Sequence, residues 1–300
     1  MKSLEEQIVE LKKKRNAVIL AHNYVRSDVQ DVADFVGDSL ELSIKAKNAG
    51  APVIVFCGVS FMAETAKILS PASTVLHPVP SAGCPMADMA PDEAVRQYRR
   101  EHPDAVIIAY VNSTAAVKAE VDICCTSANA EKVVRSIPAD KHILFVPDQN
   151  LGANVSRMTG RKMELWPGFC PTHNRIMPED AKKIREAHPN AIMLVHPECT
   201  PSVVDVADHA LSTGGMLKFV RESDAKQFII GTECGILHRM RKDNPDKEFI
   251  SLQPIPLCPN MKKLSLESIV DSLENMQYEV KLDAALMDRA RGPIERMLAI

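Results

Sequence analysis

The sequence has few aromatic residues, no long apolar runs and almost no excess of charge. Aromatic side chains make up only 4% of the chain, too few for a platform that stacks single-stranded nucleic acid. The longest apolar runs, such as residues 105–111, have the length of a strand and are too short to cross a bilayer. A formal net charge of -3 gives no electrostatic footprint for nucleic acid. These absences predict a protein that binds neither nucleic acid nor membrane.

The N-terminal residues also lack the apolar stretch of a secretory signal peptide. Ser3 and Glu6 have instead the spacing of a capping box that begins a helix. Eight cysteines without a secretion signal indicate a reducing compartment, so we expect a cytoplasmic protein. There, cysteines serve as buried thiols, metal ligands or nucleophiles rather than as a disulfide framework.

What the sequence does contain is a threefold internal repeat, marked by three Cys-Pro dipeptides. Cys84, Cys170 and Cys258 lie 86 and 88 residues apart. Before each of them, an apolar strand-like run ends in polar residues, at positions 18–24, 106–112 and 192–198. The same order of elements therefore occurs three times, which indicates a repeat architecture.

Two further residue types keep fixed offsets within the repeat. An aspartate stands twelve residues after the first polar residue that ends each strand-like run, and a hydroxyl residue stands five positions after each aspartate. The polar residues are His22, Tyr110 and His196, the aspartates are Asp34, Asp122 and Asp208, and the hydroxyl residues are Ser39, Ser127 and Thr213. Each hydroxyl residue comes where the next helix is expected to begin.

Strands that alternate with helices predict an α/β fold with parallel sheets. We expect three pseudo-threefold-related αβα sandwich domains, each with a small parallel sheet, around a central site. They would cover residues 1–85, 86–171 and 172–259, with helices in 260–300 completing the first. A helix is expected over residues 265–276 and a strand over 278–280. Because each unit is too small to be stable alone, the three must pack on one another.

The repeat predicts one shared cavity, because ligands of parallel sheets bind at the carboxyl ends of the strands. Three sets of polar residues and three hydroxyls at helix starts would meet there, and free N–H groups at a helix start suit phosphate or carboxylate. A single Ser or Thr before a helix is usually an N-cap, and a single Cys-Pro is usually a buried thiol in a turn. Repetition favours the site for the whole set, although Ser127 or Thr213 alone is equally compatible with a structural cap.

Three cysteines on one axis predict a metal centre with an open coordination position. A cubane cluster bound by three thiolates leaves one iron free to act as a Lewis acid. The alternative is a catalytic zinc ion bound by the three cysteines, or by two of them and His173. A third possibility is an iron–sulfur sensor without catalysis. The other five cysteines lack equivalents in all three repeats and are left out of the centre: Cys57, Cys124, Cys125, Cys199 and Cys234.

Seven segments closely resemble the quinolinate synthase family. They are residues 19–24 (ILAHNY), 29–39 (VQDVADFVGDS), 61–66 (FMAETA), 110–114 (YVNST), 125–130 (CTSANA), 196–199 (HPEC) and 212–216 (STGGM). The resemblance covers essentially the whole chain, and the three Cys-Pro cysteines fall where the family has its cluster ligands. The extra C-x-x-C pair of some family members is absent here.

The resemblance implies a transferase of NAD biosynthesis with a [4Fe-4S] cluster on Cys84, Cys170 and Cys258. The implied reaction condenses iminoaspartate with dihydroxyacetone phosphate to give quinolinate, phosphate and water, with one iron acting as a Lewis acid. An L-aspartate oxidase or dehydrogenase is the expected supplier of iminoaspartate.

The same resemblance implies roles for individual residues. The implied substrate-binding residues are His22, Ser39, Tyr110, Asn112, Ser127, His173, His196, Glu198 and Thr213. The implied catalytic residues are Glu198, Tyr24, Tyr110 and His196. Glu198 is the candidate general acid and base, and we expect a dry cavity to move its pKa toward neutrality.

Overall fold

The structure is a computed structural model that describes residues 2–300, and it confirms the predicted fold class. Three four-stranded parallel sheets are flanked by helices. The strands are β1 (Ala17–His22), β2 (Phe35–Gly37), β3 (Val53–Cys57), β4 (Thr74–Leu76), β5 (Val106–Tyr110), β6 (Ile123–Cys125), β7 (Ile143–Val146), β8 (Glu164–Leu165), β9 (Ile192–Val195), β10 (His209–Ala210), β11 (Gln227–Gly231) and β12 (Glu248–Ser251). The strand orders are β2-β1-β3-β4, β6-β5-β7-β8 and β10-β9-β11-β12, so the three sheets have the same topology.

The helices follow the same repeat. They are α1 (Leu4–Arg15), α2 (Ser27–Val32), α3 (Ser39–Asn48), α4 (Ser60–Leu69), α5 (Pro85–Asp88), α6 (Asp92–Glu101), α7 (Ala115–Lys118), α8 (Ala130–Ser136), α9 (Gln149–Thr159), α10 (Pro178–Ala187), α11 (Pro201–Val204), α12 (Thr213–Glu222), α13 (Ile236–Asp243), α14 (Leu266–Asn275) and α15 (Ala284–Leu298). Short 3₁₀ turns occur at His173–Arg175 and Met261–Lys263. None of the helices in residues 2–300 combines the length and apolar composition that a bilayer span requires.

Local signals in the sequence placed several helix ends correctly. The capping box at Ser3 is present, because the N–H of Glu6 donates to Ser3 Oγ at 3.2 Å and the N–H of Ser3 donates to the Glu6 carboxylate at 3.0 Å. The expected helix at 265–276 is α14 with Ser265 as its N-cap. The expected strand at 278–280 is wrong: Tyr278 has a left-handed φ of 66°, which turns the chain and leaves only an isolated bridge between Leu76 and Glu279.

The repeated aspartates attach the edge strand of each sheet to the strand beside it. The carboxylates of Asp34, Asp122 and Asp208 each accept the backbone N–H of the central strand, from Ile19, Ile107 and Met193, at 2.7 Å in every repeat. Each carboxylate also pairs with a cation of the helix that precedes the strand, and these cations are Lys12, Arg99 and Arg185. The fixed offset of these aspartates therefore has a structural cause.

Replacing Asp208 by alanine is expected to lower the free energy of unfolding by about 1–2 kcal/mol at neutral pH, because the N–H of Met193 loses its acceptor. Burial opposes the charged carboxylate, but hydrogen bonds from Arg185 and Met193 outweigh it and hold the pKa of Asp208 below its usual value. The stabilisation is therefore present above about pH 4 and is lost as the pH falls through the lower folded-state pKa. Urea unfolding of native protein, Asp208→Ala and the exposed control Asp104→Ala, at neutral and acidic pH, measures this. An equal deficit at both pH values would contradict the assignment.

The three units share their cores. The largest apolar cluster joins residues of the first sheet, such as Ile19 and Phe56, to Phe228 and Phe249 of the third. The C-terminal segment, expected to complete the first unit, divides between two of them: α14 packs on α1, whereas α15 packs on α7 and β6 of the second unit. This mutual packing brings the carboxyl ends of the three sheets to one place.

Candidate functional site

A cavity of about 260 Å³ lies where the strand ends of the three units meet. All thirteen residues that the sequence proposed for the site line it: His22, Tyr24, Ser39, Cys84, Tyr110, Asn112, Ser127, Cys170, His173, His196, Glu198, Thr213 and Cys258. The structure therefore brings together side chains that are separated by as many as 236 positions in the chain.

The register of each sheet delivers one polar residue from each unit to this cavity. His22 and Tyr110 are the last residues of β1 and β5, and His196 directly follows β9. The residues before them, Ala21, Ala109 and Val195, pair with the third strand of their sheets. Because the pairing is equivalent in all three sheets, the strand-end residues occupy equivalent places.

Two of the three hydroxyls lie at helix starts without serving as caps. Ser39 and Thr213 are the first residues of α3 and α12, while the N-caps are Asp38 and Ser212. The capping alternative thus does not apply to Ser39 and Thr213. Ser127 differs from the expected placement, because it lies in a turn and α8 begins three residues later at Ala130.

The carboxylate of Glu198 is the centre of a buried hydrogen-bond network. Tyr110 donates its hydroxyl to Oε1 at 2.5 Å, and Asn112 Nδ2 lies 3.4 Å from the same oxygen. His173 Nδ1 lies 2.8 Å from Oε2. Tyr110 and Asn112 come from the second unit and Glu198 from the third, so the network spans a boundary between units.

The expectation that the pKa of Glu198 moves toward neutrality is wrong. Burial does favour the neutral acid, but the nearby His173, with hydrogen bonds from His173 and Tyr110, outweighs it and holds the pKa of Glu198 below its usual range. Burial and the nearby Glu198 raise the pKa of Tyr110 well above its ordinary value. Glu198 is therefore a charged acceptor, and Tyr110 keeps its proton beside it.

Thr232, which the sequence analysis missed, extends this network to the first unit. Its Oγ1 lies 2.7 Å from His173 Nε2 and 2.6 Å from the hydroxyl of Tyr24. Thr213 Oγ1 donates to the same tyrosine hydroxyl at 2.9 Å. The equivalent positions in the other repeats are Gly58 and Pro147, so the threefold pattern gave no signal for a hydroxyl here.

His22 and His196 are buried, neutral imidazoles. Burial lowers the pKa of each to about 3. In both, Nδ1 accepts a backbone N–H from two residues ahead, Tyr24 at 3.2 Å and Glu198 at 3.3 Å. The neutral ring therefore carries its proton on Nε2, which is left to donate. The interpretation of His196 as a plain core residue does not account for its place on the cavity wall.

The three cysteines are spaced too widely for a single metal ion. A zinc ion at about 2.3 Å from each sulfur holds its thiolates less than about 4 Å apart. Among residues 2–300, the one trio of His, Cys, Asp or Glu ligand atoms within 4.8 Å of one another is Cys170, His173 and Glu198, so the three sulfurs do not form such a trio. Three cavity-lining thiols at wider spacing do not match zinc held by three cysteines.

Burial keeps these thiols protonated when no metal is bound. It raises the pKa of Cys84 to about 12 and raises the pKa of Cys170 and Cys258 as well. Metal binding therefore has to displace three protons. The other cysteines do not line the cavity; four are buried in apolar cores and Cys234 is half-buried.

Asp38 and Arg175 also line the cavity and were missed. Asp38 caps α3 and accepts the N–H of Gly214 at 3.2 Å, which ties the first unit to the third. Arg175 is exposed, and among the described residues it is the one lysine or arginine on the cavity wall. Asp38 has the polar equivalents Thr126 and Ser212 in the other repeats, whereas Arg175 has no equivalent in all three.

This fold and site define an α/β enzyme whose active site is shared by three repeated units. The family model described as quinolinate synthetase A protein matches residues 6–299. A quinolinate synthase of Geobacter sp. is 53% identical over 298 residues, 99% of this chain and 98% of that protein. Quinolinate synthases of Dehalococcoides mccartyi and Methanosarcina barkeri are 53% and 52% identical over 297 residues, 99% of this chain and 98% and 97% of theirs.

The chain belongs to the quinolinate synthase family, as its sequence resemblance predicted. It is an enzyme of NAD biosynthesis.

Proposed function

We propose that this protein condenses iminoaspartate with dihydroxyacetone phosphate to form quinolinate, phosphate and water. One cavity carries the proposal. It is lined by three cysteines, by two helix-start hydroxyls that do not serve as N-caps, and by the buried pair of Tyr110 and Glu198. The substrates of this reaction carry a phosphate and carboxylates, and the reaction requires proton transfers and loss of water.

The anionic groups of the substrates have a set of neutral donors to bind. Ser39 and Thr213 present hydroxyls at the starts of α3 and α12, where the helix dipole favours negative charge. His22 and His196 add Nε2–H donors. Asn112 has an amide oxygen without a hydrogen-bond partner in residues 2–300, so its side chain can turn to orient a substrate carboxylate or hydroxyl. We assign phosphate and carboxylate binding to these groups together with Ser127.

Cys84, Cys170 and Cys258 would hold a [4Fe-4S] cluster. The cavity that they share and their soft thiolate donors fit that group. With three protein ligands, its remaining iron would supply a Lewis acid toward a substrate hydroxyl or carboxylate. His173 stands next to one of them, with Nδ1 3.2 Å from Cys170 Sγ.

Proton transfer is assigned to the residues around Glu198. The charged carboxylate can accept a proton from a substrate carbon or hydroxyl, and Tyr110 can pass a proton back to the substrate while it takes the proton held by Glu198 in exchange. On the other side, Thr232, His173 and Glu198 form a hydroxyl–imidazole–carboxylate series that reaches Tyr24. This series gives Tyr24 a route for exchanging its proton with Glu198.

Anaerobic purification and assay of the native protein test the proposal. We expect a brown protein with broad visible absorbance and equal amounts of iron and sulfide, which forms quinolinate from the two substrates. Colourless protein with one zinc ion would favour the catalytic-zinc alternative. A stable cluster with no product from the two substrates would favour the sensor alternative.

The proposal also covers supply and location. Iminoaspartate hydrolyses readily as an imine in water, so it has to be made nearby by an enzyme that oxidises L-aspartate, an oxidase or a dehydrogenase. We assign the protein to the cytoplasm, where thiols stay reduced. We also propose that the three domains comprise residues 1–85, 86–171 and 172–259.

A further inference from the structure

Glu233, which lines the cavity, forms an ion pair with the partly buried Lys262 at the loop that carries Cys258. The carboxylate of Glu233 is fully buried, and Lys262 Nζ lies 2.8 Å from its Oε1 and 3.1 Å from its Oε2. The backbone N–H of Cys258 donates to Oε1 at 3.1 Å, and the N–H of Gly235 donates to Oε2 at 2.7 Å. One carboxylate therefore joins the end of β11 to the cysteine loop.

The lysine of this pair reaches the first unit as well. Lys262 Nζ donates to the backbone carbonyl of Tyr24 at 2.6 Å. Tyr24 is the residue whose hydroxyl meets Thr232 and Thr213 in the cavity. Through Lys262, the position of Tyr24 is linked to the position of Cys258.

The equivalent positions in the other two repeats form no ion pair in residues 2–300. In the first repeat the residue is Val59, which is apolar. In the second it is Asp148, whose Oδ1 caps α9 by accepting the N–H groups of Asn150 and Leu151. Within residues 2–300 its Oδ2 makes no hydrogen bond, although the N–H of Cys170 faces this carboxylate.

Apolar packing holds only part of the Cys258 loop. Ile255 and Leu257 are 53% and 48% exposed, while Pro256 between them is buried, as Ala82 is at the equivalent place before Cys84. After the cysteine, Met261 is buried and Lys262 follows it directly. The charged pair therefore adds to a loop that packing holds in part.

We propose that Glu233 and Lys262 are positioning residues that fix the Cys258 thiolate and Tyr24 relative to each other. The inference rests on the cluster of the proposed function. Residues that hydrogen-bond around metal ligands typically change metal affinity or activity about 10–100-fold when they are replaced. Neither residue has to touch substrate for this effect.

The test follows cluster loss to a ferrous chelator, measured by visible absorbance on anaerobically purified full-length protein. We expect Glu233→Gln to lose its cluster about 10–100-fold faster than native protein. The matched control is Glu64→Gln, because Glu64 also joins two units by accepting a backbone N–H, that of Ala115 at 2.7 Å, but has no hydrogen bond to a cysteine loop in residues 2–300. We expect Glu64→Gln to lose its cluster at the native rate. Native-like loss in Glu233→Gln overturns the inference.

A double-mutant cycle separates positioning from general destabilisation. Lys262→Met leaves the Glu233 charge buried without a partner. We therefore expect Lys262→Met to lose its cluster faster than the double variant Glu233→Gln/Lys262→Met. We expect Lys262→Met to change the electron paramagnetic resonance spectrum of the reduced cluster. Lys262→Arg keeps the charge, so we expect it to give the native spectrum. The assignment would be overturned if the effects of the two single substitutions on the rate of cluster loss were additive in the double variant. A spectrum unchanged by Lys262→Met would also overturn it.

Hydrogen exchange gives a result that does not depend on the cluster. In native protein and in Glu64→Gln, amides of residues 252–262 should exchange more slowly than in Glu233→Gln, with or without metal. If the native protein held zinc, or no metal, the proposed function would fail while this measurement still tested the positioning role. Equal exchange in all three proteins would exclude it.

Discussion

Replacing Cys84, Cys170 or Cys258 by alanine is expected to abolish quinolinate formation, each by itself. The three cysteines line one cavity and come from the three equivalent loops after β4, β8 and β12. A cubane that loses one of three protein ligands keeps two, and its attachment is no longer rigid. We expect each variant to retain far less iron and sulfide than native protein, with product below detection in an anaerobic assay.

Cys234→Ala is the matched control for these substitutions. Cys234 is also half-buried, and its backbone N–H bonds the Cys258 loop through the carbonyl of Pro256 at 2.8 Å. Its sulfur does not line the cavity, so we expect native iron content and turnover. Native turnover by any of the three ligand variants would remove that cysteine from the assignment.

Replacing Glu198 by glutamine is expected to leave the cluster in place and to lower turnover about 10²–10⁴-fold, the usual contribution of one positioned base. Glutamine keeps the size of the side chain but removes the charge that accepts the Tyr110 hydroxyl and the His173 N–H. Steady-state rates with both substrates, together with iron and sulfide analysis, measure this. The expected loss is in kcat, because proton transfer is impaired more than substrate binding.

Glu164→Gln, on the protein surface, is the matched control for Glu198→Gln. Glu164 also accepts a tyrosine hydroxyl, that of Tyr98 at 2.7 Å, and lies 3.0 Å from His142 Nε2, but it is exposed. We expect Glu164→Gln to turn over at the native rate. A near-native rate in Glu198→Gln, or loss of its cluster, would eliminate the acid–base role.

The repeat made much of the site accessible from sequence. Strand-end residues, hydroxyls and cysteines recur at fixed offsets because each β-α unit fixes the spacing between its strand end and its next helix start. Features that occur in one unit only were not found in this way. Thr232 and Glu233 sit where the other repeats have Gly58 or Pro147 and Val59 or Asp148, so no periodic signal marks them.

The sequence also misjudged the electrostatics of the site, for a physical reason. The pKa of Glu198 depends on how closely His173 and Tyr110 approach its two oxygens, and these residues belong to other parts of the chain. Burial alone would have raised this pKa. The balance between burial and hydrogen bonding is a property of the assembled cavity.

By itself, the sequence determined the three βαβ-type units, their strand ends and the three cysteine loops, because local hydrogen bonding and apolar periodicity act over short stretches of chain. Only the tertiary structure decided how far apart the sulfurs stand, which hydroxyls are free of capping, and that Lys262 reaches both Glu233 and Tyr24. Those relations are distances between residues far apart in sequence, and the packing of three cores on one another sets them.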